Sequence, residues 1–576
     1  MKCDRSGSFQ RSTRNLLVLG LGGLPDLGGY AAGLAALQRV IEALRGIVEG
    51  RQGQARILTG LGPGVPTETA RLANRLGLPL DIIAPCRVPG VDLAGLGAAR
   101  VALVSDGVCA PPDADLVAAA HEAGLSMADA LILVGDSLGS VAGGGPASSP
   151  VVEAVLRNTP VIRIRADGEI ALLDPGRLEA APLATLAANR RDPGLVEECF
   201  APVKGDLATA LAELVATAWD GEKLSWLGRA LNCAGTDPGA TRTWWGALHT
   251  AFFGCFGPWK RKWRAPVLPW RGPQAYQEAS QLPAEVWGWF DRVDRAATHS
   301  ANKHRDEIVL IHLLAILAVF GAVAGKIDLW SVGDLVWTVL EIVTLVWIAL
   351  LVGLNNRRRR NGVTSHDGWL HFRQAAEALR MSAMLHPLLA GLTGLQRGVW
   401  GRKGGKIHLD KPYHWLVIQL LRDAGLPDQQ KALGLEPRLP ALVTALQGLM
   451  DDQLAYHQGA AARYRESYHK LHGLTLAVFG IVFAVVLVHL SALGIGFLEG
   501  VHLHVPEFLV GFAHCIHDQH WLLIITAVAP ALAAGLHGIN TKAELHRLAK
   551  NSNRMLERLG VFRQAISACA AGGKVM

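Results

Sequence analysis

The run LTLAVFGIVFAVVLVHLSALGIGFL (474–498) decides how the second half of this chain folds. A helix needs about 20 mostly apolar residues to cross a hydrocarbon core roughly 30 Å thick. Three further runs have that character: IVLIHLLAILAVFGAVAG (308–325), LVWTVLEIVTLVWIALLVGL (335–354) and WLLIITAVAPALAAGLHGI (521–539). None alternates polar and apolar residues as a barrel strand does, and in lipid only helices and closed barrels satisfy their own backbone groups. The runs therefore read as four transmembrane helices in two hairpins. The competing reading is a set of core helices in a large soluble protein.

Flanking charge favours the membrane. Lys303 and Arg305 precede the first run, and four arginines (357–360) follow the second. Arg463, Arg465 and Lys470 precede the third, while Lys542 and Arg547 follow the fourth. The loop 326–334 holds one basic residue, and the loop 499–520 holds no Lys or Arg. Basic residues are retained on the cytosolic side. Both loops are thus expected to face away from the cytosol, with both termini in it, in the inner (plasma) membrane.

Composition agrees with a mixed chain. Of 576 residues, 50% are hydrophobic and 18% charged, with a formal net charge of +7. The positive charge clusters at the ends of the apolar runs, which points to topology and anionic lipid, and no nucleic-acid partner is expected. Eight cysteines (Cys3, Cys86, Cys109, Cys199, Cys233, Cys255, Cys515, Cys569) form no CxxC pair. That excludes a disulfide framework or a zinc knuckle and suits a reducing compartment. The apolar core 16–20 is too short for a signal peptide and reads as a strand.

Residues 15–165 alternate short aliphatic runs with helical segments. Strands are expected at LLVL (16–19), RILT (56–59), 80–84, 101–104, LILV (131–134) and VIRI (161–164). Helices are expected at 32–49, 67–76, 113–123 and 150–157. Continuous aliphatic strands alternating with helices predict a Rossmann-like α/β domain, a parallel sheet covered on both faces. Three glycine-rich turns follow predicted strands: Gly20, Gly22 and Gly23; Gly60, Gly62 and Gly64 with Thr67 and Glu68; and Gly143, Gly144 and Gly145 with Ser148. Glycine lets backbone approach a phosphate, and the next helix offers free N–H groups. With Gly135, Asp136 and Ser137 they are the candidate ligand-binding residues. The plainer alternative is tight strand-to-helix turns. Gly135, Ser137 and Gly139 also fit the spacing of a nucleophile elbow, but no other part of a hydrolase layout is visible, so Ser137 is read as lining the pocket.

Residues 15–165 resemble the SLOG superfamily, the Rossmann-like fold of the LOG phosphoribohydrolases, DprA and the ligand-sensing part of TRPM channels. The resemblance is carried by LTGLGPGVPTETARLANRLGLPLDIIAP (58–85), ADALILVGD (128–136) and GGGPASSPVVEAVLRNTPVIRI (143–164). It implies a nucleotide-derived ligand on the three turns; no cofactor is expected. The LOG signature PGGxGTxxE is not met, because Gly145 is followed by Pro146, and Pro66 stands where many relatives are acidic. These departures bear on hydrolysis and leave binding intact.

The membrane half resembles the SLATT group of two-transmembrane effectors in bacterial defence. The match covers FDRVDRAATHSANKHRD (290–306), the first two spans and WLHFRQAAEALR (369–380), then YHQGAAARYRESYHKL (456–471) and PALAAGLHGINTKAELHRLAKNSNRML (530–556) around the second hairpin. Trp369, Arg373 and Glu377 fall on one helix face, and Arg373 can pair with Glu377. With Arg380 they read either as a surface ion pair or as a strut coupling the second span to the cytosolic domain. Glu341 lies inside the second span, where a carboxylate should face protein, a pore or a partner, or else snorkel. His312 and His489 read as packing residues rather than proton relays.

Other features carry less. Residues 244–270 are dense in Trp and basic residues, which suits a membrane interface, an ordinary core or, least well, base stacking. His502, His504, His514, His517 and His520 crowd the second outer loop. His514 and His517 could offer two ligands to a transition metal, but no four-ligand pattern exists, and no metal is expected.

The expected organisation is a SLOG-like nucleotide-binding domain (1–170), a Trp/Arg-rich juxtamembrane region (171–300), a first transmembrane hairpin with flanking helices (301–380), a cytosolic helical insert (381–473), and a second hairpin with an amphipathic helix (474–576). The expected function is a homo-oligomeric membrane effector that senses a nucleotide-type small molecule and responds by pore formation or bilayer disruption. A membrane-tethered nucleotide hydrolase, with Glu68, Asp136 or Glu153 as acid–base groups, is the alternative. A plain membrane-anchored interaction protein is the third.

Overall fold

The computed structural model describes residues 2–3, 9–10, 13–20, 30–51, 53–60, 64–84, 100–103, 114–136, 149–157, 159–178, 185, 189, 194–219, 247–254, 284–326, 334–360, 364–385, 402–403, 406–407, 412–425, 439–500, 506–511 and 521–572. The chain forms two compact units, one built on residues 1–238, 270–296 and 371–448, the other on 239–269, 297–370 and 449–576.

The first unit is built on an eight-stranded sheet. Its strands are β1 (Thr13–Gly20), β2 (Gln54–Thr59), β3 (Leu80–Ala84), β4 (Arg100–Leu103), β5 (Ala130–Val134), β6 (Val161–Ile164), β7 (Ile170–Leu173) and β8 (Ala201–Pro202). Their order is β8-β7-β6-β5-β1-β2-β3-β4. Strands β1 to β6 are parallel, as their unbroken aliphatic character predicts. The sheet is mixed, however, and the expectation of a wholly parallel one is corrected: β7 and β8 run antiparallel at one edge. The reversal is a tight turn at 165–169, closed by Gly168 at φ +87. The sheet continues past residue 170 through these two strands.

Period-2 alternation gives each strand two faces. Leu16, Val18, Ile57, Ile132 and Ile162 share one core with α1 (Ala31–Gly50), α2 (Val65–Arg75) and Leu211 and Leu214 of α5 (Leu207–Trp219). Leu17 and Ile83 point to the other face, where Gly124 of α3 (Ala114–Met127) rests on both; α4 (Pro150–Leu156) packs beside α3.

A further helix closes that second face. α9 (Pro412–Ala424) comes from the segment between the two membrane hairpins, and Leu416, Val417, Ile418, Leu420, Leu421 and Ala424 are all buried. It ends in Gly425 at φ +78, the left-handed conformation that terminates helices. Asn15, Arg100 and Asp129, at the amino ends of the strands, bind its last turn.

The second unit holds four helices long and apolar enough to cross a membrane. They belong to α6 (Ala284–Lys326), α7 (Asp334–Arg360), α10 (Leu439–Gly500) and α11 (Trp521–Lys542). α8 (Ser365–Leu385) and α12 (Leu545–Gly572) follow the hairpins. Residues 285–305 are continuous with the first span in one 43-residue helix, and the third span belongs to one 62-residue helix that begins well before it. Leu335, Val346, Trp347, Leu476 and Phe483 are exposed, as lipid-facing residues would be. Ile308, Val309, Tyr464, Leu471, Leu536, Ile539, Leu545 and Ala549 form a core shared by α6, α10, α11 and α12. α12 returns alongside α10: His546 lies 5.0 Å from Tyr468, and Arg563 pairs with Asp451 at 2.7 Å.

Candidate ligand site at the carboxyl edge of the sheet

In a doubly wound sheet the ligand sits beyond the carboxyl ends of the strands, where the strand order reverses. Here β1 is flanked by β2 and β5, so the reversal lies between β1 and β5. Gly20 ends β1, and Gly60 follows β2. Gly64, at φ +88, leads into α2, whose first turn carries Thr67 and Glu68. Gly135, at φ +152, and Asp136 follow β5. Parallel register brings these residues to one edge. Gly22, Gly23, Gly62, Ser137, Gly143, Gly144, Gly145 and Ser148 lie outside the described residues.

Asp136 organises this edge. One carboxylate oxygen accepts from the Ala166 N–H at 2.8 Å, and the other accepts from the Tyr30 hydroxyl at 3.5 Å. Burial first, and then the Asp136 charge, raise the Tyr30 pKa, which keeps the phenol protonated as a donor. Ala166 in turn accepts from the Gly33 N–H at 3.1 Å. A Cβ on Gly33 would stand 2.9 Å from the Arg165 carbonyl, so glycine permits the first turn of α1 to dock on the 165–169 turn. The amino end of α1 is thereby fixed beside β5, next to the switch point.

The proposed acid–base groups are spread out. Glu68 pairs with Arg71 on the surface of α2. Glu153 is buried on α4 against Arg157, which also holds Glu122 at 3.0 Å and the Ser126 hydroxyl.

Sequence reading missed Tyr30, Arg163, Arg165, Glu197 and Phe200 at this edge. Arg163 had a signal, being a charge in the aliphatic strand VIRI. It is 3% exposed and donates to the Asp136 carbonyl and the Glu197 carboxylate. Tyr30, Glu197 and Phe200 are separated from it in sequence and had none.

The residues proposed to couple the halves are placed as follows. In the second unit, the Arg305 guanidinium lies 5.5 Å from the Trp369 ring centre, and His366 packs edge-on to that ring at 5.9 Å. In the first, Arg373 bridges Asp294 at 3.2 Å and Glu377 at 2.6 Å. Arg380 is buried, binds Glu377 and lies 5.4 Å from the Phe290 ring. The four thus include an ion-pair ladder on α8 rather than one surface pair. Glu341 sits against Gly321 of α6: a Cβ on Gly321 would lie 3.8 Å from its Cβ. His312 bonds the Ile308 carbonyl at 2.7 Å. The histidine-rich loop lies outside the described residues.

No protein-family model, curated protein or solved structure matches this chain.

Proposed function

We propose that this chain is a membrane effector whose α/β domain senses a nucleotide-derived ligand and whose apolar helices respond by forming a pore or disrupting the bilayer. The observation that carries this reading is a doubly wound sheet, with glycines and an acidic residue gathered at its switch-point edge, in one chain with four membrane-length helices. The ligand binds against Gly20, Gly60, Gly64 and Gly135, with the Asp136 region receiving its sugar or phosphate. The protein lies in the inner membrane with both termini cytosolic, acts as a homo-oligomer, and serves in SLOG/SLATT-type antiphage or inter-bacterial defence.

The test uses the full chain in nanodiscs, screened by thermal shift against ADP, ADP-ribose and cyclic oligonucleotides, with chromatography of each mixture afterwards. A compound that stabilises the protein, is recovered intact and triggers leakage from proteoliposomes supports the sensor–effector reading. A compound recovered as products makes the protein an enzyme instead. Gly60→Asp is the control, because among the described residues a Cβ there meets only the Ile83 carbonyl, at 3.8 Å, while the new carboxylate repels a phosphate. Unchanged binding in that variant would remove the site from the edge.

A further inference from the structure

Arg163 is buried more deeply than its partners account for. Its side chain on β6 is 3% exposed, yet the carboxylate that neutralises it, Glu197, is 42% exposed. Its Nη2 donates to the Asp136 carbonyl and its Nη1 to Glu197. Its Nε is buried and has no hydrogen-bond partner among the described residues. Arg165, on the turn that follows, directs its Nη2 to the same Glu197 oxygen at 3.7 Å and holds Glu169 at 2.8 Å. Phe200 lies 5.8 Å from the Arg163 guanidinium. One carboxylate oxygen is therefore shared by two guanidiniums at the sheet edge, supplied by the four-residue helix Gly194–Glu197.

A buried guanidinium is costly unless its charge is paired and its donors are used. An ordinary buried pair hides and satisfies both members. Here the cation is hidden, one donor is spare among the described residues, and the anion is a side chain nearly half exposed to water, where it gains less from the contact than a buried carboxylate would. A phosphoryl group suits this fork better than one carboxylate, since it offers three acceptor oxygens and more charge.

We propose that Arg163 and Arg165 form a phosphate-class subsite in which Glu197 is an internal placeholder, displaced by the phosphoryl or pyrophosphoryl group of the ligand. The inference rests on the reading of this edge as a nucleotide site and adds which residues take the phosphate. Arg163 also holds the Asp136 carbonyl, so exchange of its anion is felt at the end of β5 and at the Tyr30–Asp136–Ala166 bracket.

The experiment is calorimetric titration of the full chain in nanodiscs with inorganic pyrophosphate, and in parallel with ADP. Glu197→Gln removes the competing charge and should tighten pyrophosphate binding about tenfold, whereas Arg165→Gln, at a half-exposed position, should weaken it about tenfold. If Glu197→Gln only lowers the melting temperature and leaves pyrophosphate affinity unchanged or weaker, the pair is structural and the subsite is refuted. ADP binding that is lost in Gly60→Asp, with pyrophosphate affinity indifferent to both the Glu197 and Arg165 changes, overturns the subsite alone. Pyrophosphate affinity that follows both changes while ADP binds no form of the protein supports the subsite and removes the nucleotide reading.

Discussion

Asn15 and Arg422 stand 407 residues apart in sequence and 2.7 Å apart in space, where the Asn15 side-chain N–H donates to the Arg422 carbonyl. Around that bond the Asn15 backbone N–H donates to Asp129 at 2.8 Å, and the Arg422 guanidinium reaches Asp129 at 3.4 Å and the Ser126 carbonyl at 3.3 Å. Arg100 takes the Ala424 carbonyl at 2.5 Å. The amino edge of the sheet is therefore finished by a helix from between the membrane hairpins. A fragment ending near residue 220 would expose this polar edge and the apolar face beneath α9. We expect such a fragment to be cut by trypsin within 1–220 under conditions where the full chain resists. Asp129→Ala should cost about 3 kcal/mol, because it removes a buried carboxylate that pairs with Arg422 and accepts from the Asn15 N–H. A fragment as resistant as the full chain would refute the dependence on α9.

This contact shows what the sequence could and could not reveal. LLVL, RILT and LILV read as buried parallel strands because an unbroken aliphatic run needs cover on both faces, and the structure gives it. The four apolar helices were legible for the same reason of bulk hydrophobicity. β8 is two residues ending in proline, and its place is set by antiparallel pairing with β7, not by its own pattern. α9 is apolar nearly all round, which announces burial but not a partner, and its partners Asn15 and Asp129 carry no local mark. Of the edge, the glycines were visible because turns demand them. The bracket of Tyr30, Asp136 and Ala166 exists only once the chain has folded.

Gly33 tests that bracket from the other side. Its N–H donates to Ala166, and a Cβ would press on the Arg165 carbonyl at 2.9 Å, a backbone atom that cannot step aside alone. Gly33→Ala should lower stability by about 1–3 kcal/mol and separate α1 from the 165–169 turn. Hydrogen exchange at residues 30–36 and 165–169 should rise together. Faster exchange at only one of the two segments would show that they are not docked as one unit.

His121 on α3 supplies a pH dependence. Burial pushes its pKa down to about 4, so the folded chain holds the ring neutral while the unfolded chain binds a proton below its ordinary value of 6.5. The stability this group permits is complete above pH 6.5 and is lost as pH falls toward 4. Allowing for its partial exposure, the loss is about 2 kcal/mol. Melting temperatures of wild type and His121→Gln, measured from pH 4.5 to 7.5, should diverge from a constant offset below pH 6.5, with wild type falling more steeply. Parallel curves would mean that His121 titrates alike in both states.

The last prediction concerns the membrane helices. Within the second unit, α6 touches both α7 and α11. Phe320 packs edge-on to Trp337 at 5.8 Å, while Gly535 and Gly538 of α11 face Ile316 and His312. A Cβ on Gly538 would overlap the His312 ring, and one on Gly535 would lie 2.7 Å from Ile316 Cδ1. In lipid there is no hydrophobic drive between helices, so close approach at small residues supplies much of the attraction. Gly538→Ala should therefore force α6 and α11 apart and cost about 1–2 kcal/mol, read as a lower melting temperature in detergent. The ring itself is the obstacle, so His312→Ala in the Gly538→Ala background should recover part of the loss even though His312→Ala alone destabilises. If the double variant is as unstable as the sum of its parts, the two residues do not meet, and the packing of the first span on the fourth must be redrawn.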